Sequence, residues 1–259
     1  MKDSRKDFFV LPYPKARRLM VDCGKMGLKK HTVHGLVEFD ITKALDTIRS
    51  YRADTEKNLS FSAFFLYCLG KAIDAEMEIN AYRNWRNQMI VFKEVDVNML
   101  FEVEIEGEKM VRPHIIRAVN KMSAQEIENQ IQSFKKTHRD SKETKFIHWF
   151  VRIPRFIRRL FLWIIFKNPL LLKEYYGTVL VTSVGMFGMG TGWGIPVTNH
   201  SLQLTLGGIG EKLVMVDHSI ETRKFLSVTV SFDHDIIDGA PAARFINRLK
   251  KLIERGFCL

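Results

Sequence analysis

The chain has 259 residues, 46% hydrophobic and 27% charged, with 7 prolines, a balance that excludes a disordered or collagen-like chain and allows a sizeable core. A net charge of +11 and a pI near 9.6 suit an anionic partner (nucleic acid, a membrane surface or a phosphorylated cofactor) or simply a well-solvated basic surface. Without a zinc-finger, RNP-type or helix-turn-helix signature, nucleic acid is not expected.

No linker, repeat or low-complexity tract interrupts the sequence, so residues 1–259 read as a single domain. Cys23, Cys68 and Cys258 are scattered, odd in number and without a C-x-x-C pair. Neither disulfides nor a metal site is expected, and a reducing cytoplasm is the natural compartment. The first residues carry both signs of charge with no apolar run behind them, so no signal peptide is expected.

In chain order, Val33 to Ile41 reads as a strand, and Thr42 as the N-cap of a helix to about Arg52. A second helix is expected from Ser62 to Glu76, with Phe64, Phe65, Leu69 and Ile73 on its apolar face. Between Val95 and Glu104, hydrophobic residues alternate at Val95, Val97, Met99, Phe101 and Val103, the pattern of a strand with one buried side. Ser123-Ala124-Gln125-Glu126 matches a capping box and opens a helix to about Lys136. Tyr176 to Val184 reads as a strand ending in the glycine-rich run 185–194. A dinucleotide loop there needs a helix next; since another strand follows at Leu202, Leu204 and Leu206, a turn allowing close backbone approach to a ligand is expected instead. Leu213 to Val216 reads as a further short strand. In Leu226 to Asp233, Leu226, Val228, Val230 and Phe232 face one way, and Ser227, Thr229, Ser231 and Asp233 the other. The last helix starts near Ala240, buries Phe245, Leu249, Leu252 and Ile253, and stops at Gly256.

The segment from Ser231 to Gly239 joins that strand to that helix, a place where side chains stand exposed at a sheet edge. A histidine there, His234, can take a proton from a thiol or hydroxyl. Asp238, four residues on, can fix the turn, and Gly239 relieves the backbone at the bend. Taken alone, H-x-x-x-D-G is more readily a helix-capping turn without chemistry.

Ser231-Phe232-Asp233-His234, followed by Asp238-Gly239-Ala240-Pro241-Ala242-Ala243-Arg244-Phe245, resembles the C-terminal signature of the dihydrolipoamide acyltransferase component of 2-oxo-acid dehydrogenase complexes. Chloramphenicol acetyltransferase carries a shorter version. The resemblance continues through Val181-Thr182-Ser183-Val184-Gly185-Met186-Phe187-Gly188, Pro113 to Ala118, Ile79 to Tyr82, and Val37 to Leu45. It implies an α/β, chloramphenicol-acetyltransferase-like two-layer sandwich, a mixed sheet flanked by helices, assembled as a homotrimer with active sites at subunit interfaces. It implies a CoA-dependent acyltransferase with acyl-CoA as cosubstrate and a thiol, hydroxyl or amine acceptor. On the same ground His234 is the general base, and a strand hydroxyl, Thr182 or its neighbour Ser183, donates to the oxyanion. Asp238 is then structural, pairing with an arginine, for which Arg17 or Arg18 is a candidate. The family's basic residue after the histidine is Asp235 here.

Two departures stand out. No lipoyl or subunit-binding domain is recognisable, so a separate lipoylated or other thiol carrier is one expected partner. The second is Phe146 to Phe166, rich in aromatic and basic residues, with His148, Arg152, Arg155 and Arg159 on one helical face and Pro154 bending or restarting the helix. Its four arginines disfavour a membrane span. A membrane-surface helix and a lid over an acyl site are weighed against a helix buried in the core or a subunit interface, and the last is favoured. The rival functions are a xenobiotic O-acetyltransferase of the chloramphenicol type and a non-catalytic trimeric scaffold or membrane-surface module.

Overall fold

The computed structural model describes residues 7–14, 17–105, 108–137, 150, 153–184 and 190–256, with side chains described at all of these but 102–105, 108–111 and 137. In chain order, α1 (Arg17–Gly27) leads to β1 (Thr32–Asp40), α2 (Thr42–Thr55) and α3 (Phe61–Asp74). A short hairpin of β2 (Ala81–Arg83) and β3 (Met89–Val91) follows, then β4 (Val97–Ile105), β5 (Glu108–Ile116) and α4 (Ala124–Thr137). The last part runs through α5 (Arg155–Lys167), α6 (Pro169–Tyr176), β6 (Val179–Ser183), β7 (Leu202–Val216), β8 (Ser219–Asp233) and α7 (Gly239–Glu254).

Six strands form a mixed sheet in the order β1-β8-β7-β6-β4-β5, with β6 parallel to β4 and β7 and the other pairs antiparallel. One face carries Val97, Met99, Val179, Val181, Leu202, Leu204, Val228, Val230 and Phe232. Onto it pack the apolar stripes of α2, α3, α4 and α7, including Ile48, Phe64, Phe65, Leu69, Ile127, Ile131, Phe245 and Leu249, all buried. This is the expected helix-on-sheet core.

Helix ends follow their local chemistry. The capping box at Ser123 closes as expected: the Ser123 N–H donates to Glu126 Oε2 at 2.8 Å and the Glu126 N–H to Ser123 Oγ at 3.3 Å. Thr42 is not the N-cap of α2; it is the first helical residue, and Asp40 Oδ1 accepts its N–H at 3.0 Å. Thr42 Oγ1 instead accepts the Lys224 N–H at 2.9 Å, tying the helix start to β8. Gly256 ends α7 at φ +60, where a Cβ would meet Thr47 Oγ1 at 2.4 Å.

One expectation about the strands is corrected. Leu202–Leu206 and Leu213–Val216 belong to one 15-residue strand, interrupted only by an irregularity between Leu206 and Ile209. Beyond the sheet, β7 and β8 run on as a two-stranded ribbon whose ladders satisfy each other. Ser227, Thr229, Ser231 and Asp233 face away from the helices, as the alternation implies, and are all buried as well. Segment 190–199 lies over this face. Trp193 Nε1 donates to Val37 O at 3.1 Å, and Gly190 and Gly192 press their carbonyl oxygens against Gly207 and Gly208 of β7. The close backbone approach expected of the glycine-rich run is therefore made to the protein's own strand; residues 185–189 of that run lie outside the described residues.

Candidate active site

His234 is the first residue after β8. Its N–H donates to His31 O at 2.8 Å, and the Ile236 and Ile237 N–H groups donate to Asp233 O at 3.0 Å each. Asp233, 3% exposed, accepts from Lys30 Nζ through its carboxylate and from the Asp235 N–H at 3.2 Å. Ile237 is buried below, so the turn is anchored by both backbone bonds and packing. The His234 side chain itself is half-exposed, with Nδ1 4.0 Å from Asp238 Oδ1.

Asp238 is the N-cap residue of α7, with its side chain 85% exposed and making no capping bond. Among the described residues its ion-pair partner is His234; neither Arg17 nor Arg18 pairs with it. Gly239 has no positive φ and nothing within 4 Å of an added Cβ, so the bend does not require glycine there.

Asp235, at the position of the family's basic residue, accepts from His31 Nδ1 at 2.8 Å and lies 3.6 Å from Arg83. The hydrogen bond to Asp235 and its charge raise the pKa of His31 above the ordinary imidazole value, and the same bond lowers that of Asp235. His31, Lys30 and Arg83 went unread in the sequence because they come from the approach to β1 and from β2, far from the motif in the chain.

Thr182 and Ser183, adjacent on β6, point to opposite faces. Ser183 is in register with Leu206 and Val228 on the helix-covered face. Thr182 is in register with Thr205 and Thr229, on the polar face with Gln203 and Ser231. Several buried atoms of that face, Asn98 Oδ1, Gln203 Oε1, Ser227 Oγ and Thr229 Oγ1, have no hydrogen-bond partner among the described residues. Such atoms suit a face that meets water or a polar ligand.

The register also separates Thr182 from His234. Thr182 is level with Thr229, two strands away, and His234 lies five residues beyond Thr229 toward the other end of the sheet. At about 3.4 Å per residue and about 4.8 Å per strand they are roughly 20 Å apart within one chain. No hydrogen-bonded site forms over that distance. The two meet only if a second copy brings its own sheet end across.

The family model for the 2-oxoacid dehydrogenases acyltransferase catalytic domain matches residues 14–145 and 171–257. The chain belongs to that family. Among the acyltransferase relatives, the acetyltransferase component of the pyruvate dehydrogenase complex of Rickettsia prowazekii is 23% identical over 223 residues, 84% of this chain and 47% of that protein. The lipoamide acyltransferase component of the branched-chain alpha-keto acid dehydrogenase complex of Bacillus subtilis is 24% identical over 224 residues, covering 85% and 46%. The chain thus spans about half the length of these relatives. A solved dihydrolipoamide acetyltransferase of Azotobacter vinelandii superposes with a TM-score of 0.73 at 18% identity, covering 99% of this chain and 96% of that one. A chloramphenicol acetyltransferase does so at 0.53 and 9%, covering 96% and 99%. The fold is that of the acyltransferase family and of chloramphenicol acetyltransferase, as the sequence implied.

The unmatched residues 146–170 include the whole of the aromatic, arginine-rich segment. Residues 146–149, 151 and 152 of it, with His148 and Arg152, lie outside the described residues. Pro154 restarts the chain as the residue before α5, and α5 is not core: only Arg158, Leu162 and Ile165 are buried.

Proposed function

We propose that the chain is a CoA-dependent acyltransferase that moves an acyl group from acyl-CoA to a thiol, hydroxyl or amine acceptor, with its active sites formed between copies in a homotrimer. One observation carries the residue assignment. The Azotobacter enzyme was studied for the catalytic roles of a serine, a histidine 52 residues later and an asparagine four residues after that. Here Thr182 precedes His234 by the same 52 residues, and Asp238 follows it by four. The sheet faces support Thr182 over Ser183, because Thr182 shares the polar face and Ser183 the packed one.

In this reading His234 takes the proton of the acceptor as its heteroatom attacks the thioester carbonyl. The Thr182 hydroxyl of a neighbouring copy donates to the tetrahedral oxyanion. Collapse breaks the carbon–sulfur bond, and the departing CoA thiolate recovers the proton from His234. Asp238, set at the cap of α7, orients the imidazole from its Nδ1 side. A lipoylated thiol carrier on a separate chain is one acceptor of the right class.

The test is release of CoA thiol from an acyl-CoA panel against dihydrolipoamide, chloramphenicol and amine acceptors. His234→Ala is expected to lower kcat by about 10²–10⁴-fold, and Thr182→Val by about 10²–10³-fold, with Ser183→Ala close to wild type. Near-wild-type turnover in His234→Ala, or a large loss confined to Ser183→Ala, overturns the assignment.

A further inference from the structure

Helix α5 buries an arginine and leaves most of its apolar residues exposed. A surface helix ordinarily turns its apolar stripe to the core and its charges to water. Here the buried side holds Arg158 beside Leu162 and Ile165, and Arg158 Nε donates to Asp22 Oδ2 on α1 at 2.7 Å. Arg159 Nε donates to the other carboxylate oxygen at 3.0 Å, and Arg155 Nε lies 3.8 Å away. Asp22 is 1% exposed. Burial alone raises its pKa, but the bonds and charges of Arg158 and Arg159 outweigh that and hold the carboxyl below its ordinary value. The outward side presents Phe156 (73% exposed), Leu160 (57%), Trp163 (48%) and Ile164 (44%).

The helix cannot roll to hide these groups. Rolling would draw Arg158 away from Asp22 and leave a buried carboxylate unpaired. The ion cluster therefore fixes an apolar, aromatic face toward the outside. This device belongs to the part of the chain that the family model leaves unmatched, between residues 145 and 171.

We propose that α5 docks the protein on an anionic lipid surface, lying in the plane of the interface with Phe156, Leu160, Trp163 and Ile164 immersed. Its 13 residues span about 20 Å, less than the hydrocarbon thickness, and no described helix is long and apolar enough to cross a membrane. Charge selects the occupant. α5 itself holds Arg155, Arg158, Arg159 and Lys167 and no Asp or Glu, so with Asp22 it keeps an excess of positive charge, on a chain of net charge +11. A second copy would bring the same positive charge to the same place, whereas an anionic headgroup layer is attracted. A tryptophan beside bulky apolar groups on a basic helix is the composition of an interfacial anchor.

Vesicle flotation of the full chain tests this, using phosphatidylcholine alone and with about a third phosphatidylglycerol. Wild type is expected to bind the anionic vesicles at least about tenfold better, and to be released at about 0.5 M salt. The Phe156→Ser/Trp163→Ser double variant should lose about tenfold in vesicle partition. Its mass by light scattering, its melting temperature and its acyl transfer to a soluble acceptor should match wild type. Failure of wild type to float with anionic vesicles overturns the proposal, as does equal flotation of the variant. A variant that loses its oligomeric mass overturns it too, assigning the face to a second copy. Because flotation is read without catalysis, the result is independent of the activity proposed above.

Discussion

Co-expressing a His234→Ala chain with a Thr182→Val chain should return activity that neither has alone. The sheet register places the two residues roughly 20 Å apart in one copy, so in the proposed function each site draws its histidine from one chain and its threonine from the next. In a cyclic trimer holding both chains, in either proportion, one junction of the ring joins an intact His234 to an intact Thr182. The other two junctions lack at least one of them. Mixed trimers should therefore show about a third of wild-type kcat, against parents lowered by about 10²-fold or more. With a different affinity tag on each chain and tandem purification, only mixed assemblies are assayed, by CoA thiol release at saturating acyl-CoA. The acyl-CoA KM of the surviving sites should be that of wild type, since those sites are unaltered. Activity no higher than the mean of the two parents would refute the shared site and require the chain to bend its sheet ends together.

Two further outcomes follow from buried features. His200 is 1% exposed, with Nε2 3.0 Å from Tyr176 O, and burial lowers its pKa to about 4. The unfolded chain binds this proton from about pH 6.5 downward and the folded one does not until about pH 4, so stability contributed by neutral His200 is full above that window and falls as pH drops through it. The loss is about 3 kcal/mol in all; urea midpoints measured from pH 7.5 to 4.5 should fall in wild type and fall less in His200→Gln, and an identical fall in both excludes His200 as the cause. In Gly208→Ala the added Cβ would sit 1.8 Å from Gly190 O. Segment 190–199 must lift off β7, at a cost of about 1–3 kcal/mol, seen as a lower melting temperature and faster proteolysis near residue 190; an unchanged protein would show that the segment does not rest on the strand.

The sheet centre was legible because its strands pair one apolar row with one hydroxyl row, and the alternation at 226–233 gives both faces at once. What alternation cannot say is that the hydroxyl row is also buried; only the covering segment 190–199 decides that. Strand β5 was missed because it is an edge, where charges and Pro113 are tolerated with one side of the ladder unpaired. The β7–β8 ribbon was cut short in the reading because its turn uses Asp217 and His218, both at positive φ, in place of the Asn-Gly that usually signals such a hairpin. Helix α1 buries only Asp22 and Gly27, too little for an apolar stripe. At the candidate site, His234, Asp238 and Thr182 came forward through the resemblance to the family's motifs. The groups around them were not, since His31 and Lys30 reach the turn only through the pairing of β1 with β8. The buried side of α5 was not legible for a related reason: its three buried positions include an arginine, and the carboxylate that accepts it lies 136 residues earlier.

The pairing of β1 with β8 also bears on how the protein is made. Lys30 and Asp233 are 203 residues apart in the chain, and His31 and Asp235 are 204 apart. The turn that presents His234 is therefore closed by the two most distant parts of the sheet. During synthesis α2, α3 and the β4–β5 hairpin have all emerged before β8 exists, and β1 waits with its edge open. Contacts of such separation slow folding, because the intervening chain must be ordered before they are rewarded. His234 is thus set in place late, and slow closure leaves the edge of β1 open to the wrong partner. Variants that weaken the β1–β8 seam should first reveal themselves as insoluble protein at the ribosome's pace, well before any change in the chemistry of those molecules that do fold.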